Sequence, residues 1–133
     1  MHIVQASVAA LPIGGAQFDL VTAVETHYYW PGLVRCFGEV RRVLRPGGQF
    51  VLIAEVHGTP ASGWLLRLAM APMRASALSV EEHRKLLEEA GYEGIELTTD
   101  RRAWLCAVAE TGHHRTGLLL EVTKVRSIKD WKW

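Results

Sequence analysis

Two apolar runs of strand length, Phe18 to Val24 and Phe50 to Ala54, constrain this chain more than any other feature. Runs of this kind suit parallel strands, because a sheet covered by helices loses the polar alternation of a half-exposed one. Between them Leu33, Phe37, Val40 and Leu44 recur at helical spacing, while Arg35, Glu39, Arg41 and Arg42 fall elsewhere on the wheel. Pro31 suits the first turn of that helix, and Pro46 with Gly47 and Gly48 suits its end. The unit is therefore strand, helix, strand. Right-handed crossover is nearly obligatory for such a unit, so the two strands are expected as parallel neighbours in one sheet.

The pattern then changes. Ser79 followed by Glu82 is a capping box, in which each side chain satisfies a free backbone donor of the other residue, and Gly91 ends the helix it opens. His83, Leu86, Leu87 and Ala90 make its inward face. Ile95 to Thr99 and Trp104 to Ala109 read as two strands of an antiparallel hairpin, turned at Asp100, Arg101 and Arg102. The stretch from Thr59 to Leu78 suggests a short helix around Trp64 to Met70, placed as a lid or insertion. After Glu110 the period loosens. One extra strand over Leu118 to Val125 is weighed there, and the last residues, through Trp133, are expected to fray.

Charge narrows the partners. With 15 basic against 14 acidic residues there is no electrostatic reason to expect nucleic acid or an anionic membrane. Trp64 to Met73, broken by Arg67 and Pro72, is far short of the ~20 apolar residues of a spanning helix. The first residues carry no basic-then-apolar secretory pattern, and Cys36 and Cys106 sit in apolar surroundings without metal or redox spacing. A cytoplasmic protein with two buried thiols is the simplest expectation.

Three short stretches carry a resemblance: Ala10-Leu11-Pro12-Ile13, then Phe18-Asp19-Leu20-Val21, then Glu39-Val40-Arg41-Arg42-Val43-Leu44-Arg45-Pro46-Gly47-Gly48 before a strand. With the helix ending Glu88-Glu89-Ala90-Gly91-Tyr92, their order and spacing resemble class I S-adenosylmethionine-dependent methyltransferases of the small-molecule, Rossmann-like type. The resemblance covers Ile3 to Glu110. It implies a partial methyltransferase domain over residues 1–110 and an atypical tail over residues 111–133. The implied fold is a truncated α/β sheet of parallel strands with a C-terminal antiparallel hairpin, lacking the family's N-terminal strands. In the family, residues just before the Leu-Pro motif line the cofactor's adenine. Ser7 stands where an aspartate is usual, and the backbone of Val8 remains available. Phe18 to Val24 corresponds to the fourth strand, whose carboxyl end borders the transferred methyl group, so Glu25 is implied beside the cofactor. The family's Gly-x-Gly-x-Gly turn and the acidic residue that binds the ribose have no counterpart in this sequence. S-adenosylmethionine is thus the implied cofactor, with weak or no binding expected of this chain alone.

Ligands of open α/β sheets lie outside the carboxyl ends of the strands, which is where Glu25, Thr26, His27, Tyr28, Tyr29 and Trp30 emerge. Glu25 and His27 are the candidate catalytic residues, since histidine titrates near neutrality. Tyr28, Tyr29, His57 and Trp64 are candidate acceptor-binding residues. A surface turn with packed aromatics is the competing reading, and Glu55 with His57 reads equally as a half-exposed pair. His113 and His114 are adjacent and lack partners at ligand spacing, so no metal site is expected. Without the family's first strands, Phe18 to Val24 exposes an unpaired edge. That implies a homodimer, or a cap supplied by Ile3 to Ala6 or by Leu118 to Val125. Two functions remain open at this stage: a methyltransferase whose other half is missing or separate, and a non-catalytic, self-associating module.

Overall fold

The computed structural model describes residues 2–55, 78–100 and 104–112. Its elements run β1 (Phe18–Val24), a 3-10 turn (His27–Tyr29), α1 (Leu33–Val43), β2 (Leu44–Glu55), α2 (Val80–Glu89), β3 (Tyr92–Thr99) and β4 (Trp104–Thr111). The described strands form one sheet in the order β1-β2-β4-β3. β1 and β2 are parallel, as the crossover rule requires, with Val21 beside Phe50 and Val24 beside Ile53. β4 then inserts antiparallel between β2 and β3, pairing Leu52 with Ala107 and Leu97 with Ala107 from its two sides.

Alternation along the strands determines where the core lies. Phe50, Leu52 and Ala54 of β2 and Leu105, Ala107 and Ala109 of β4 are buried, while the residues between them are half-buried or exposed. α1 and α2 cover that buried face. Phe37, Val40 and Leu87 pack there against Ala23, Leu44, Phe50, Leu52 and Tyr92, and Phe37 and Tyr92 each bring a ring centroid to 5.7 Å from that of Phe50. Each such apolar side chain, removed from water, contributes about 1.5–3 kcal/mol. The Tyr92 hydroxyl is buried too and donates to the Phe37 carbonyl at 3.1 Å. Burial pushes its pKa up, so it stays a donor.

Element boundaries differ from the sequence expectation in instructive ways. α1 starts at Leu33 behind Gly32, which takes a left-handed φ of 67°, so Pro31 lies ahead of the helix rather than in its first turn. The Pro31 carbonyl instead accepts from the Cys36 thiol at 3.2 Å. At the other end the helix stops at Val43, because Leu44 is already extended and drives its side chain into the core. β2 therefore begins before Pro46, and the Arg45-Pro46-Gly47-Gly48 stretch is absorbed as an irregularity opposite β1. A Cβ at position 48 would meet the Arg45 carbonyl oxygen at 2.9 Å and the Phe18 carbonyl oxygen at 3.2 Å, so only glycine lets the strands close there. β3 begins at Tyr92 rather than Ile95, and β4 runs on to Thr111, whose buried hydroxyl donates to the Arg45 carbonyl at 2.6 Å.

The second helix follows its signal. Ser79 accepts from the Glu82 amide at 3.2 Å, and Glu82 accepts in return from the Ser79 amide at 2.8 Å. Gly91, with a φ of 87°, then turns the chain into β3. Both cysteines are free thiols, Cys36 buried and Cys106 half-buried, and burial raises the pKa of each. Among the described residues no helix is long and apolar enough to cross a membrane. Residues 1, 56–77, 101–103 and 113–133 lie outside the described part, and with them the expected lid, His57, Trp64, Arg101 and Arg102 of the hairpin turn, the His113–His114 pair, the strand at Leu118 to Val125 and the fraying terminus.

Candidate functional site at the carboxyl ends of the parallel strands

Because β1 and β2 are parallel, their carboxyl ends open on the same side, and the chain leaves β1 through an unusual residue. Glu25 holds a φ of 53°, a left-handed conformation that non-glycine side chains seldom adopt. The sharp turn lets its amide continue the ladder, donating to the Ile53 carbonyl at 2.9 Å, while its carboxylate bends back across the strand ends. Glu25 Oε1 accepts from the Glu55 amide at 2.8 Å and lies 3.0 Å from the Tyr28 hydroxyl. The same Glu55 amide donates to the Tyr28 oxygen at 2.7 Å, and the Glu55 carbonyl lies 2.9 Å from it. A hydroxyl has one proton, so Tyr28 shares it between the Glu25 carboxylate and the Glu55 carbonyl. Burial, then the bond to Glu25, raises the tyrosine pKa, which keeps the phenol protonated. Strained backbone supported by several bonds is the pattern found at ligand clamps.

The 3-10 turn that follows sends its three aromatic rings in different directions. His27 and Tyr28 are buried, whereas Tyr29 is 63% exposed. The His27 ring lies against Tyr28, with centroids 4.3 Å apart, and its Nε2 sits 3.0 Å from Nε2 of His83 on α2. Nδ1 of His83 faces the Ser79 carbonyl at 2.8 Å, whereas Nδ1 of His27 is buried with no partner. Burial first, and the neighbouring His83 second, lower the His27 pKa from 6.5 to about 4. Burial likewise lowers that of His83. Both imidazoles are therefore neutral at physiological pH.

Ser7 and Val8 lie on a separate segment. The Ser7 carbonyl accepts from the Ala10 amide at 3.0 Å, and its hydroxyl accepts from the Ala9 amide at 3.3 Å, so the side chain is engaged in its own turn. Val8 is half-buried and packs against the core. The Leu-Pro motif behind them is clamped to α1: Glu39 Oε1 accepts from the Leu11 amide at 2.9 Å, and Arg42 donates to the Leu11 carbonyl at 3.2 Å. Glu39 and Arg42 pair with each other at 2.7 Å, and that bond holds the Glu39 carboxyl well below its usual range.

The structure thus joins Glu25, His27 and Tyr28 in one cluster, leaves Tyr29 outward, and keeps Ser7 and Val8 apart from it, on the segment that Leu11 fastens to α1. Sequence patterning passed over Glu39, Arg42 and His83 as site residues. The Glu39–Arg42 spacing of three on one helix was the available signal for the clamp; nothing local tied His83 to His27. An open groove of about 680 Å³ lies nearby, lined by Trp30, Leu33, Val34, Arg35, Leu78 and Leu86 but by none of these cluster residues. Among the described residues no group of three or more potential metal ligands forms.

Comparison with known proteins agrees with this fold. A family model described as a methyltransferase domain matches residues 1–52. Over 101 residues the chain is 32% identical to a probable phthiotriol/phenolphthiotriol dimycocerosates methyltransferase 2 of Mycobacterium ulcerans, covering 76% of this chain and 37% of that protein. Matches to curated relatives such as this one and a chloroplastic Arabidopsis thaliana methyltransferase span 37% and 18% of their lengths. Among solved structures, a Thermotoga maritima S-adenosylmethionine-dependent methyltransferase, described as a possible histamine N-methyltransferase, superposes with a TM-score of 0.72 at 16% identity, over 83% of this chain and 64% of that one. Matched sequence over the first strand–helix unit and a matched fold over most of the chain lead to one conclusion: the chain carries part of a methyltransferase domain, in the fold of S-adenosylmethionine-dependent methyltransferases.

Proposed function

We propose that this chain provides the acceptor side of an S-adenosylmethionine-dependent methyl transfer, with the reacting centre at the carboxyl ends of β1 and β2. The observation that carries the reading is the Glu25 turn, a strained residue whose exposed carboxylate is fixed by Tyr28 and the Glu55 amide at the site where sheets of this kind bind ligands. The donor set fits the cofactor. Bound there, S-adenosylmethionine supplies an electrophilic methyl group on a sulfonium, and a fixed carboxylate favours a neighbouring positive charge. Glu25 orients, and Tyr28 holds Glu25. The half-buried Val8 offers an apolar wall and a backbone for the adenine, in place of the aspartate that Ser7 replaces. Tyr29, outward on the same turn, is the proposed acceptor-binding residue, and His57 and Trp64, outside the described residues, are proposed on the sequence alone. Methyl transfer to a well-aligned nucleophile needs little beyond proximity, so the low basicity of His27 is no obstacle.

A homodimer through β1 is part of the proposal. It is supported by the position of β1 at one end of the described sheet and by the exposure of Phe18 (40%), Leu20 (48%) and Val24 (49%). Ile3 and Val4 are also exposed, and residues 2–6 form no strand that could cap that edge. Titration calorimetry with S-adenosylmethionine tests the cofactor reading. Weak, millimolar binding that a bulky Ser7→Arg substitution abolishes is the expected result. No heat at millimolar ligand would overturn cofactor binding by this chain.

A further inference from the structure

The two buried histidines define each other's protonation. A carbonyl oxygen can only accept, so His83 Nδ1, 2.8 Å from the Ser79 carbonyl, carries a proton. In a neutral ring that leaves His83 Nε2 with a lone pair. Its neighbour at 3.0 Å, His27 Nε2, must then be the donor, since two lone pairs do not bond. The remaining nitrogen of His27, Nδ1, is consequently an unprotonated acceptor, and it is the buried side-chain atom that finds no partner among the described residues. Such an atom in a native fold asks for a reason.

We infer that His83 is a positioning residue for the proposed site: it holds the turn after β1 against α2 and, by accepting the His27 Nε2 proton, fixes His27 as the tautomer whose unprotonated Nδ1 stays buried and whose ring packs on Tyr28, the residue that holds Glu25. This rests on the reading of the site proposed above. The capping box extends the chain of control, because Ser79, whose carbonyl orients His83, is itself fixed by Glu82. The arrangement therefore runs from a helix N-terminus through two imidazoles to the loop at the strand ends.

Nitrogen-15 NMR of histidine side chains at pH 7.5, without cofactor, tests it independently of whether S-adenosylmethionine binds. The expected spectrum shows His27 as the Nε2–H tautomer, His83 as the Nδ1–H tautomer, and a through-hydrogen-bond coupling between the two Nε2 atoms. In His83→Leu the His27 signals should shift toward a mixture of tautomers, and His83→Gln, which keeps an acceptor oxygen, should restore the Nε2–H form. An Nδ1–H tautomer for His27 in the unaltered protein, or a His27 tautomer unchanged in His83→Leu, would overturn the inference. Should His83→Leu fail to fold, the coupling in the unaltered protein decides alone: its presence supports the inference and its absence sinks it.

Discussion

At the scale of single residues, the neutral histidine pair ties stability to pH. The folded pKa of His27, about 4, lies below its ordinary 6.5, and that of His83 is lowered as well. The unfolded chain therefore binds more protons between those values, so stability is complete above about pH 6.5 and falls as pH drops toward 4. Denaturant unfolding at pH 7.5 and at pH 4.5 is expected to show a loss of up to ~3 kcal/mol from protonation of these rings in the unfolded chain. His27→Gln should flatten that part of the profile. A stability that does not change over this range would contradict the burial of both rings as neutral groups. Little of this was legible beforehand. His27 stood out as a titratable residue in an aromatic run and His83 as an inward position on a helix. Only the fold brings two residues 56 positions apart into contact. Glu25 is a similar case: its place after β1 was readable, but its left-handed backbone was not, since glutamate carries no signal for it.

Among the elements, what proved legible was what local chemistry dictates. Phe18–Val24 forms a strand over its expected limits, and the Ser79–Glu82 pair caps α2 reciprocally. The limits that moved did so where tertiary contacts outweigh local preference. β2 begins at Leu44 because that side chain belongs to the core, and β3 begins at Tyr92 because its ring packs on Phe50 and its hydroxyl reaches Phe37. Replacement of Ser79 by alanine removes one half of the capping box and should cost ~1 kcal/mol in urea unfolding. It should also loosen the Ser79 carbonyl that orients His83, and so broaden the imidazole signals of both histidines. A change within ±0.2 kcal/mol, roughly the noise of such measurements, would show that the cap is not contributing.

For the whole molecule, the sheet order accounts for both the site and its exposed flank. β2 and β4 form the middle of the described sheet, and β1, which delivers Glu25 and the aromatic turn, lies at its end. Leu20 and Val24 point away from the face that α1 and α2 cover, as their alternation with Val21 and Ala23 requires. Sedimentation equilibrium is expected to give a dimer that dissociates in the double substitution Leu20→Lys with Val24→Lys, because charged side chains on an edge strand oppose pairing. A monomer at every concentration would remove the β1 interface from the account. The parallel pair, crossover helix and terminal hairpin were all foreseeable from patterning and resemblance. Topology was legible because handedness and crossover rules leave few alternatives, whereas side-chain partnerships across the fold are not written in any one segment.

On the function proposed here, the carboxyl ends of β1 and β2 form the acceptor side of a methyl-transfer site, and with the Ser7–Val8 segment they border the bound S-adenosylmethionine. Backbone amide NMR during titration with S-adenosylmethionine to millimolar concentration tests it most directly. Shifts concentrated at Ser7, Val8, Glu25 and Thr26 are expected. Shifts confined to the groove of Trp30, Leu33 and Leu86, or none at saturating ligand, would contradict it.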